Sequence, residues 1–328
     1  MATAAVIGCG DVSVVHLEAI EALPDTHLVA ICDTDPTTAA ATAERHGVPA
    51  FADHRQLLEA VRPDVVHITT PHHQHAPVAV DCLAAGVNVL LEKPLAHNLE
   101  DAQRILAAAE EHPDTKIGVC FQNRYNAAVQ AVRTLLDSGR LGAVTGSAAT
   151  VLWHRTPAYY QAKPWRGRRE QSGGGVLINQ AIHTLDLVQW LVGEVTEVAG
   201  RAGTYSLDGV IDVEDTAQLV LRHVGNARSV FFATVANTVD APVTLDLTAE
   251  NATLHLRRDL TVAWADGRTE VVAERSATSA GRSYWGASHQ LLIADFYARL
   301  GDPEPFWISP REAQKTLRIL HDLYQLSA

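Results

Sequence analysis

Four stretches of this 328-residue chain combine residue types and spacings that can do chemistry. The first is Glu92-Lys93-Pro94, directly after the apolar run Val89-Leu90-Leu91. A lone lysine is ordinarily a solvated surface group. Here it ends a buried-type strand and precedes a proline, which fixes the backbone and allows a cis bond. A lysine held there can hydrogen-bond a substrate hydroxyl and stabilise developing oxyanion character. The second stretch opens on Gly173-Gly174-Gly175 and carries Asn179, His183 and Asp186. On a regular helix the i, i+4 and i, i+3 spacings put these three on one face. Leu177, Ile178, Ile182, Leu185 and Val188 fill much of the remainder. A polar stripe inside such a helix is costly unless partnered, and histidine is the side chain that titrates nearest neutrality. His183 is therefore either a general acid/base or a satisfied core histidine.

The third group is looser. Arg124, Tyr125 and Asn126, with Trp153, Tyr159, Trp165 and Arg166, are hydrogen-bonding and stacking residues of the sort that line polyol or sugar sites. Arg168 and Arg169 leave room for an anionic ligand, or are simply solvated or paired with acids. The fourth is His72-His73-Gln74-His75, three histidines within four residues. No carboxylate or cysteine stands beside them at zinc spacing, and no two are i, i+4. The expectation is no metal, and a turn that caps a helix and lines a cofactor instead.

Positioning these residues requires an α/β framework, and the N-terminus supplies its first unit. A strand-like run, Ala4–Ile7, breaks into Gly8-Cys9-Gly10 and is followed by Val12, Val15, Ala19, Ile20 and Leu23 at helical spacing. Strand, tight turn and helix are the context of a dinucleotide-binding fingerprint. Gly8 makes the turn and Gly10 admits a pyrophosphate to the backbone. A helix starting near Asp11 and Val12 offers free N–H groups and its positive dipole end. Ser13 takes the third small position. A second strand-like run ends in Asp33, an acid roughly 20 residues past the glycines, where it can bind the ribose hydroxyls. That carboxylate repels a 2′-phosphate, and Thr34 and Asp35 supply no arginine to reverse the preference, so NAD is expected over NADP. Ligands of open α/β sheets lie beyond the carboxyl ends of the strands. Thr69, Thr70, Pro71 and His75, and likewise Glu92 and Lys93, are therefore expected to line the cofactor.

Strand-like and helical runs alternate to about residue 120, which implies βαβ units, a mostly parallel sheet and right-handed crossovers. Beyond 140 strand-like runs succeed one another with Gly-containing turns, suggesting an antiparallel meander interrupted by one helix over 175–191. The reading is α/β: a Rossmann dinucleotide-binding domain over 1–122, then an α+β domain over 123–328 with a large, mostly antiparallel open sheet. Such a sheet has a face to cover, which favours a homo-oligomer, dimer or tetramer. The polar, Arg-rich loop over 156–174 has the length of a functional lid.

Composition narrows the function classes. Lys plus Arg is 26 against 38 Asp plus Glu, a net charge of -12, which argues against nucleic acid as partner. Cys9, Cys32, Cys82 and Cys120 sit in or beside apolar runs without paired spacing, as reduced core residues do. With no apolar run of about 18 residues and no signal-peptide order at the start, the expectation is a soluble, cytoplasmic protein without membrane contact.

The ordered set of motifs resembles the Gfo/Idh/MocA family of oxidoreductases over nearly the whole length. It runs through Gly8-Cys9-Gly10 with His16, Asp33, Thr70-Pro71 with His75, Glu92-Lys93-Pro94, Arg124-Tyr125-Asn126, the glycine-rich lead-in to His183 and Asp186, and the closing helix after Phe306-Trp307. The resemblance implies NAD-dependent oxidation of a secondary alcohol on a sugar, cyclitol or sugar derivative, or the reverse reduction. By position, Lys93 matches the family's catalytic lysine and His183 its general acid/base, with Asn179 orienting the reacting oxygen. In inositol dehydrogenases the residue four before that histidine is Asp; Asn179 departs from this, as do other branches of the family, including some acting on nucleotide sugars. Rival readings are an aldehyde or diol reductase, an enzyme that uses tightly held NAD transiently, and a non-catalytic dinucleotide sensor; the retained Lys93 and His183 speak against the last.

Overall fold

The computed structural model describes residues 1–274 and 286–327. Contacts divide the chain into two compact units. The first comprises Met1–Gln122 with the described part of Ser276–Gln314, and the second Asn123–Arg275 (as far as described) with Lys315–Ala328.

In the first unit β1 (Ala2–Ile7), α1 (Ser13–Ala22), β2 (Thr26–Cys32), α2 (Pro36–His46), β3 (Ala50–Phe51), α3 (His54–Val61), β4 (Val65–Ile68), α4 (His75–Ala84), β5 (Asn88–Glu92), α5 (Leu99–Glu111) and β6 (Ile117–Cys120) alternate as expected. The parallel sheet runs β3-β2-β1-β4-β5-β6. Its inner strands read as continuous apolar runs because helices cover both faces; β4 and β6 are buried at every residue. Two details differ from the sequence reading. Helix α1 begins at Ser13 rather than near Asp11, because residues 10–12 are spent on the turn that Ser13 closes. Its N–H and Oγ both donate to the Gly10 carbonyl, at 3.2 and 2.7 Å. The edge strand β3 was not anticipated, and two residues are too few to carry a period.

The order of the strands reverses at β1, with β2 on one side and β4 on the other. Loops leaving β1 and β4 thus flank the crevice where an open α/β sheet takes its ligand. The late segment of this unit contributes α10 (Gly286–Ala298), which packs on α1, and buried Phe296 and Phe306 in edge-to-face contact at 5.2 Å. The Val119 N–H donates to the Ile308 carbonyl at 2.9 Å, so β6 is not left with a bare edge. The sequence reading had placed all of 123–328 in the second domain; the contacts group this segment with the first unit.

The second unit holds α6 (Ala127–Asp137), β7 (Val144–Leu152), the short helices α7 (Pro157–Ala162) and α8 (Arg169–Ser172), α9 (Ile182–Val192), and seven more strands. These are β8 (Val195–Gly203), β9 (Thr216–His223), β10 (Arg228–Thr234), β11 (Thr244–Ala249), β12 (Ala252–Arg257), β13 (Asp259–Trp264) and β14 (Thr269–Val272). The sheet order is β14-β13-β12-β11-β7-β10-β9-β8. Every neighbouring pair is antiparallel except β7 with β10. Two meanders are thus joined by the strand that opens the unit. Alternating burial along β9 and β10 shows one covered and one open face. Helix α11 (Pro310–Ser327) belongs to the first unit up to Gln314 and to the second from Lys315.

The helix expected over 175–191 is not regular. Leu177–Ala181 form a π-helical turn before α9 begins. The glycines ahead of it permit close approach: a Cβ on Gly175 would lie 1.8 Å from the Glu214 carbonyl oxygen. Buried Glu214 in turn accepts from the N–H groups of Gly175 (2.8 Å) and Leu177 (3.0 Å) and from the Tyr324 hydroxyl (2.9 Å). A carboxylate at a helix start satisfies donors that have no partner within the helix. Burial nonetheless pushes the Glu214 carboxyl above its usual range.

Candidate functional site

At the cofactor end of the first unit, Gly8 has φ +96°, a conformation that favours glycine. A Cβ there would also lie 2.8 Å from the Thr69 carbonyl. The β1 and β4 loops are tied at this point: Thr69 N donates to the Ile7 carbonyl at 2.9 Å, and the Thr69 hydroxyl donates to the Gly8 carbonyl. The Asp33 carboxylate stands at the end of β2, accepting from Cys9 N (2.7 Å) and Asp35 N (2.8 Å). These bonds hold the acid against the glycine turn and leave part of its acceptor capacity for hydroxyls. Thr70 Oγ1 is buried and has no hydrogen-bond partner among the described residues. An orphaned hydroxyl on a loop at the switch point, beside a turn without side chains, fits a bound dinucleotide.

His75 is placed differently from the expectation that it lines the cofactor. It is fully buried, with Nδ1 2.7 Å from the Pro94 carbonyl and Nε2 3.0 Å from the Thr70 carbonyl. It lies between the Thr70 loop and the Lys93-Pro94 segment, and as a neutral ring it donates to one of the two carbonyls. Burial outweighs the two carbonyls and lowers its pKa to about 4. The Lys93–Pro94 bond is cis.

Glu92 is buried too, and sits in a cluster the sequence reading missed. Its Oε1 is 3.1 Å from His16 Nε2 and 3.1 Å from His289 Nε2, and its Oε2 accepts from Lys93 N at 3.1 Å. The buried Cys120 thiol also hydrogen-bonds to it. Burial opposes ionisation of Glu92, but the two histidine N–H groups hold its carboxyl well below the usual range. Behind His16 lie His67, Nδ1 to Nδ1 at 2.8 Å, and then Tyr297, whose hydroxyl is 2.9 Å from His67 Nε2. Burial lowers the pKa of both histidines. Ligand-type atoms of His16, Glu92 and Cys120 lie within 4.8 Å of one another. The triple-histidine segment, in contrast, is in no such group among the described residues.

In the second unit the polar stripe separates into different roles. Asp186 is buried and gripped by Arg124, Nε to Oδ2 at 2.8 Å and Nη2 to Oδ1 at 2.7 Å, and accepts from Thr316 Oγ1 at 3.1 Å. Arg124, expected to bind substrate, thus holds α9 in place from within the core. Asn179 lies in the π-helical turn, its Nδ2 3.4 Å from the Arg166 carbonyl. His183 is half-buried one residue into α9.

Most of the aromatic and arginine residues do converge. Arg155 lies over the rings of Trp153 (5.1 Å) and Tyr159 (5.4 Å), and Arg166 over Tyr159 (4.6 Å) and Trp165 (5.8 Å). The result is a ladder of alternating cations and rings, with Arg155 the member that sequence reasoning did not include. Gln180 of the π-helical turn donates to the Tyr159 hydroxyl at 3.3 Å, joining ladder and turn. Tyr125 is half-buried. Arg168 and Arg169 take separate partners, the Asp212 carboxylate at 3.8 Å and the Tyr324 ring at 5.1 Å.

Residues 2–120 match the family model described as "Oxidoreductase family, NAD-binding Rossmann fold", and residues 129–255 match "GFO/IDH/MocA C-terminal domain". The chain is 31% identical to an inositol 2-dehydrogenase of Rubrobacter xylanophilus, over 58% of this chain and 52% of that one. It is 30% identical to a D-apiose dehydrogenase of Paraburkholderia graminis, over 69% and 58%. It thus spans about half the length of these curated relatives. Among solved structures, the WlbA dehydrogenase of Bordetella pertussis in complex with NADH and UDP-GlcNAcA superposes with a TM-score of 0.85 at 29% identity, covering 98% of this chain and 95% of that one. No described helix is long and apolar enough to cross a membrane.

Proposed function

The chain belongs to the Gfo/Idh/MocA oxidoreductase family, and on that premise we propose that it is an NAD-dependent dehydrogenase acting on a secondary alcohol of a sugar, cyclitol or sugar derivative. The observation that carries the cofactor half is Asp33, a carboxylate fixed at the end of β2 by two backbone N–H groups. A charge held there repels a 2′-phosphate and leaves room for ribose hydroxyls. The Arg155–Tyr159–Arg166 ladder supports a polar, ring-shaped substrate. The similarity to a dehydrogenase solved with UDP-GlcNAcA adds weight to a sugar acid or nucleotide sugar within that class.

The nicotinamide supplies the hydride acceptor; the rest of the chemistry falls to the protein. His183 takes the proton of the reacting hydroxyl as general base. Lys93 supplies a hydrogen-bond donor that stabilises charge developing on a reacting oxygen. Asn179 orients it. Glycines and backbone N–H groups at the start of α1 hold the pyrophosphate.

The open face of the second unit's sheet supports a homo-oligomer. Val230 pairs directly with Val220 across β10 and β9, and both are about half exposed, at 56% and 46%. Phe232 stands two residues along the same face. The net charge of -12 and the free cysteines support a cytoplasmic protein that does not take nucleic acid as a partner.

The test is NADH formation across a panel of sugars, cyclitols, sugar acids and nucleotide sugars, with NAD and NADP in parallel. Reduction of NAD with one substrate class is the expected result. Silence across the panel from a protein that binds NAD would remove the dehydrogenase reading in favour of a closed redox cycle or a sensor.

A further inference from the structure

The cluster around Glu92 has a hydrogen-bond polarity that can be worked out atom by atom. A carboxylate only accepts, so His16 Nε2 and His289 Nε2, each 3.1 Å from Glu92 Oε1, must both carry protons. Burial keeps His16 neutral, and with Nε2 protonated its Nδ1 is an acceptor. Among the described residues the hydrogen-bond partner of that Nδ1 is His67 Nδ1, at 2.8 Å, which must therefore donate. His67 is likewise neutral, so its Nε2 accepts, and the Tyr297 hydroxyl at 2.9 Å is the donor. The chain Tyr297 O–H to His67, His67 to His16, His16 to Glu92 has one self-consistent assignment and ends on a single negative charge. Glu92 collects N–H groups from α1 and α10 on Oε1 and spends Oε2 on the Lys93 N–H.

We propose that His16 and His289 are positioning residues for Lys93: they hold Glu92 as a carboxylate whose second oxygen anchors the Lys93 backbone, while His67 and Tyr297 hold His16 in the tautomer that can do this. The inference rests on the reading of Lys93 as the residue that polarises the reacting oxygen. The anchor fixes a negative charge on the residue that precedes Lys93, and a carboxylate within reach of an ammonium favours its charged form. The titratable groups facing Glu92 are His16 from α1, His67 behind it from β4, His75 from α4, Cys120 from β6 and His289 from α10, with Lys93 on its own segment. Cys120, His16 and Glu92 also have the donor types of a metal site. A metal would displace the proton on His16 Nε2 and the thiol proton, so metal binding and the hydrogen-bonded form exclude one another.

The test needs no substrate. The chain has four lysines, Lys93, Lys116, Lys163 and Lys315. After reductive ¹³C-dimethylation of the full-length protein, the Lys93 signal is assigned by its loss in Lys93→Arg and followed against pH. Glu92→Gln, which removes the charge outright, should lower the Lys93 titration midpoint by roughly 1 pH unit, and His16→Leu and His289→Leu should each move it in the same direction. His289→Gln, which keeps an N–H donor, should restore it. A midpoint unmoved in the leucine variants overturns the proposal. For the case in which those variants do not fold, ¹⁵N-histidine spectra of the wild-type protein carry the test. They should place the proton on Nε2 of His16 and on Nδ1 of His67; the opposite tautomer at either ring overturns it. So would Co²⁺ or Zn²⁺ that binds with thiolate absorption and strips the His16 Nε2 proton. If Lys93→Ala instead kept its turnover on a substrate found by the panel, the reading of Lys93 would fall, while the histidine result would stand as a structural finding.

Discussion

Arg124 grips Asp186 through two parallel hydrogen bonds, 2.8 and 2.7 Å long, with both side chains 1% exposed. A pair so deeply buried is costly to break on one side only, because the remaining charge has no water to return to. Arg124→Leu should lower unfolding free energy by about 3–5 kcal/mol. Arg124→Lys should recover part of the loss, since an ammonium cannot make the two-pronged contact. Urea denaturation monitored by tryptophan fluorescence reads both. A loss below about 1 kcal/mol would mean that Asp186 finds another partner.

Asp33 should set the nucleotide preference. Asp33→Ala removes acceptors from the Cys9 and Asp35 N–H groups as well as the charge at the end of β2. NAD affinity by calorimetry should fall and the ratio of NAD to NADP affinity should drop together. Unchanged NAD affinity would place the ribose elsewhere.

Removal of His183 should act on the chemical step. With substrate saturating, His183→Ala should lose roughly 10²–10⁴-fold in kcat, with NADH binding intact. A variant that retained most of its turnover would move proton transfer to another group.

Acid should weaken the first unit in a defined window. His16, His67 and His75 all have folded pKa values lowered by burial, that of His75 to about 4 from an ordinary value of 6.5. Below the unfolded value the unfolded chain binds protons that the folded chain refuses, so stability falls as pH falls. For His75 the window runs from 6.5 down to about 4. Glu92, held low in the folded state, acts with the same sign at the bottom of that range, whereas Glu214, held high, opposes it. Each neutral histidine contributes up to about 1.36 kcal/mol per pH unit. Denaturant midpoints that stay flat across the window would contradict this.

Val230→Glu should shift the oligomer toward monomer without unfolding it, because Val230 faces outward beside Val220. Light scattering after gel filtration measures the change. An unaltered mass would exclude this face from the interface.

The parts of this architecture that were legible in the sequence are those written in contiguous residues. Gly8-Cys9-Gly10, the acid ending β2 and the Glu92-Lys93-Pro94 segment each declare a strand end and its turn within a few positions. The Rossmann unit and the large, mostly antiparallel sheet followed from the change of periodicity near residue 140. Partnerships across long separations were not legible. Arg124 and Asp186 are 62 residues apart, His16 and Glu92 76, and Glu92 and His289 197. Nothing in residue type told Arg124 in the core from an arginine at a ligand. The π-helical turn was hidden for another reason. An i→i+5 turn of five residues leaves the apolar spacing of the segment close to that of an α-helix, so side-chain periodicity does not register it.

The bond from Val119 to Ile308 has a consequence for how the protein is made. The first unit begins at residue 1, yet its last strand edge and the phenylalanines beside it wait on residues beyond 290. At translation rates of roughly 5–20 residues per second, the nascent sheet stands for on the order of ten seconds or more with β6 uncovered, while the whole second sheet is synthesised. An exposed edge in a growing chain is a place for wrong pairing. The domain begun first is thus sealed almost last.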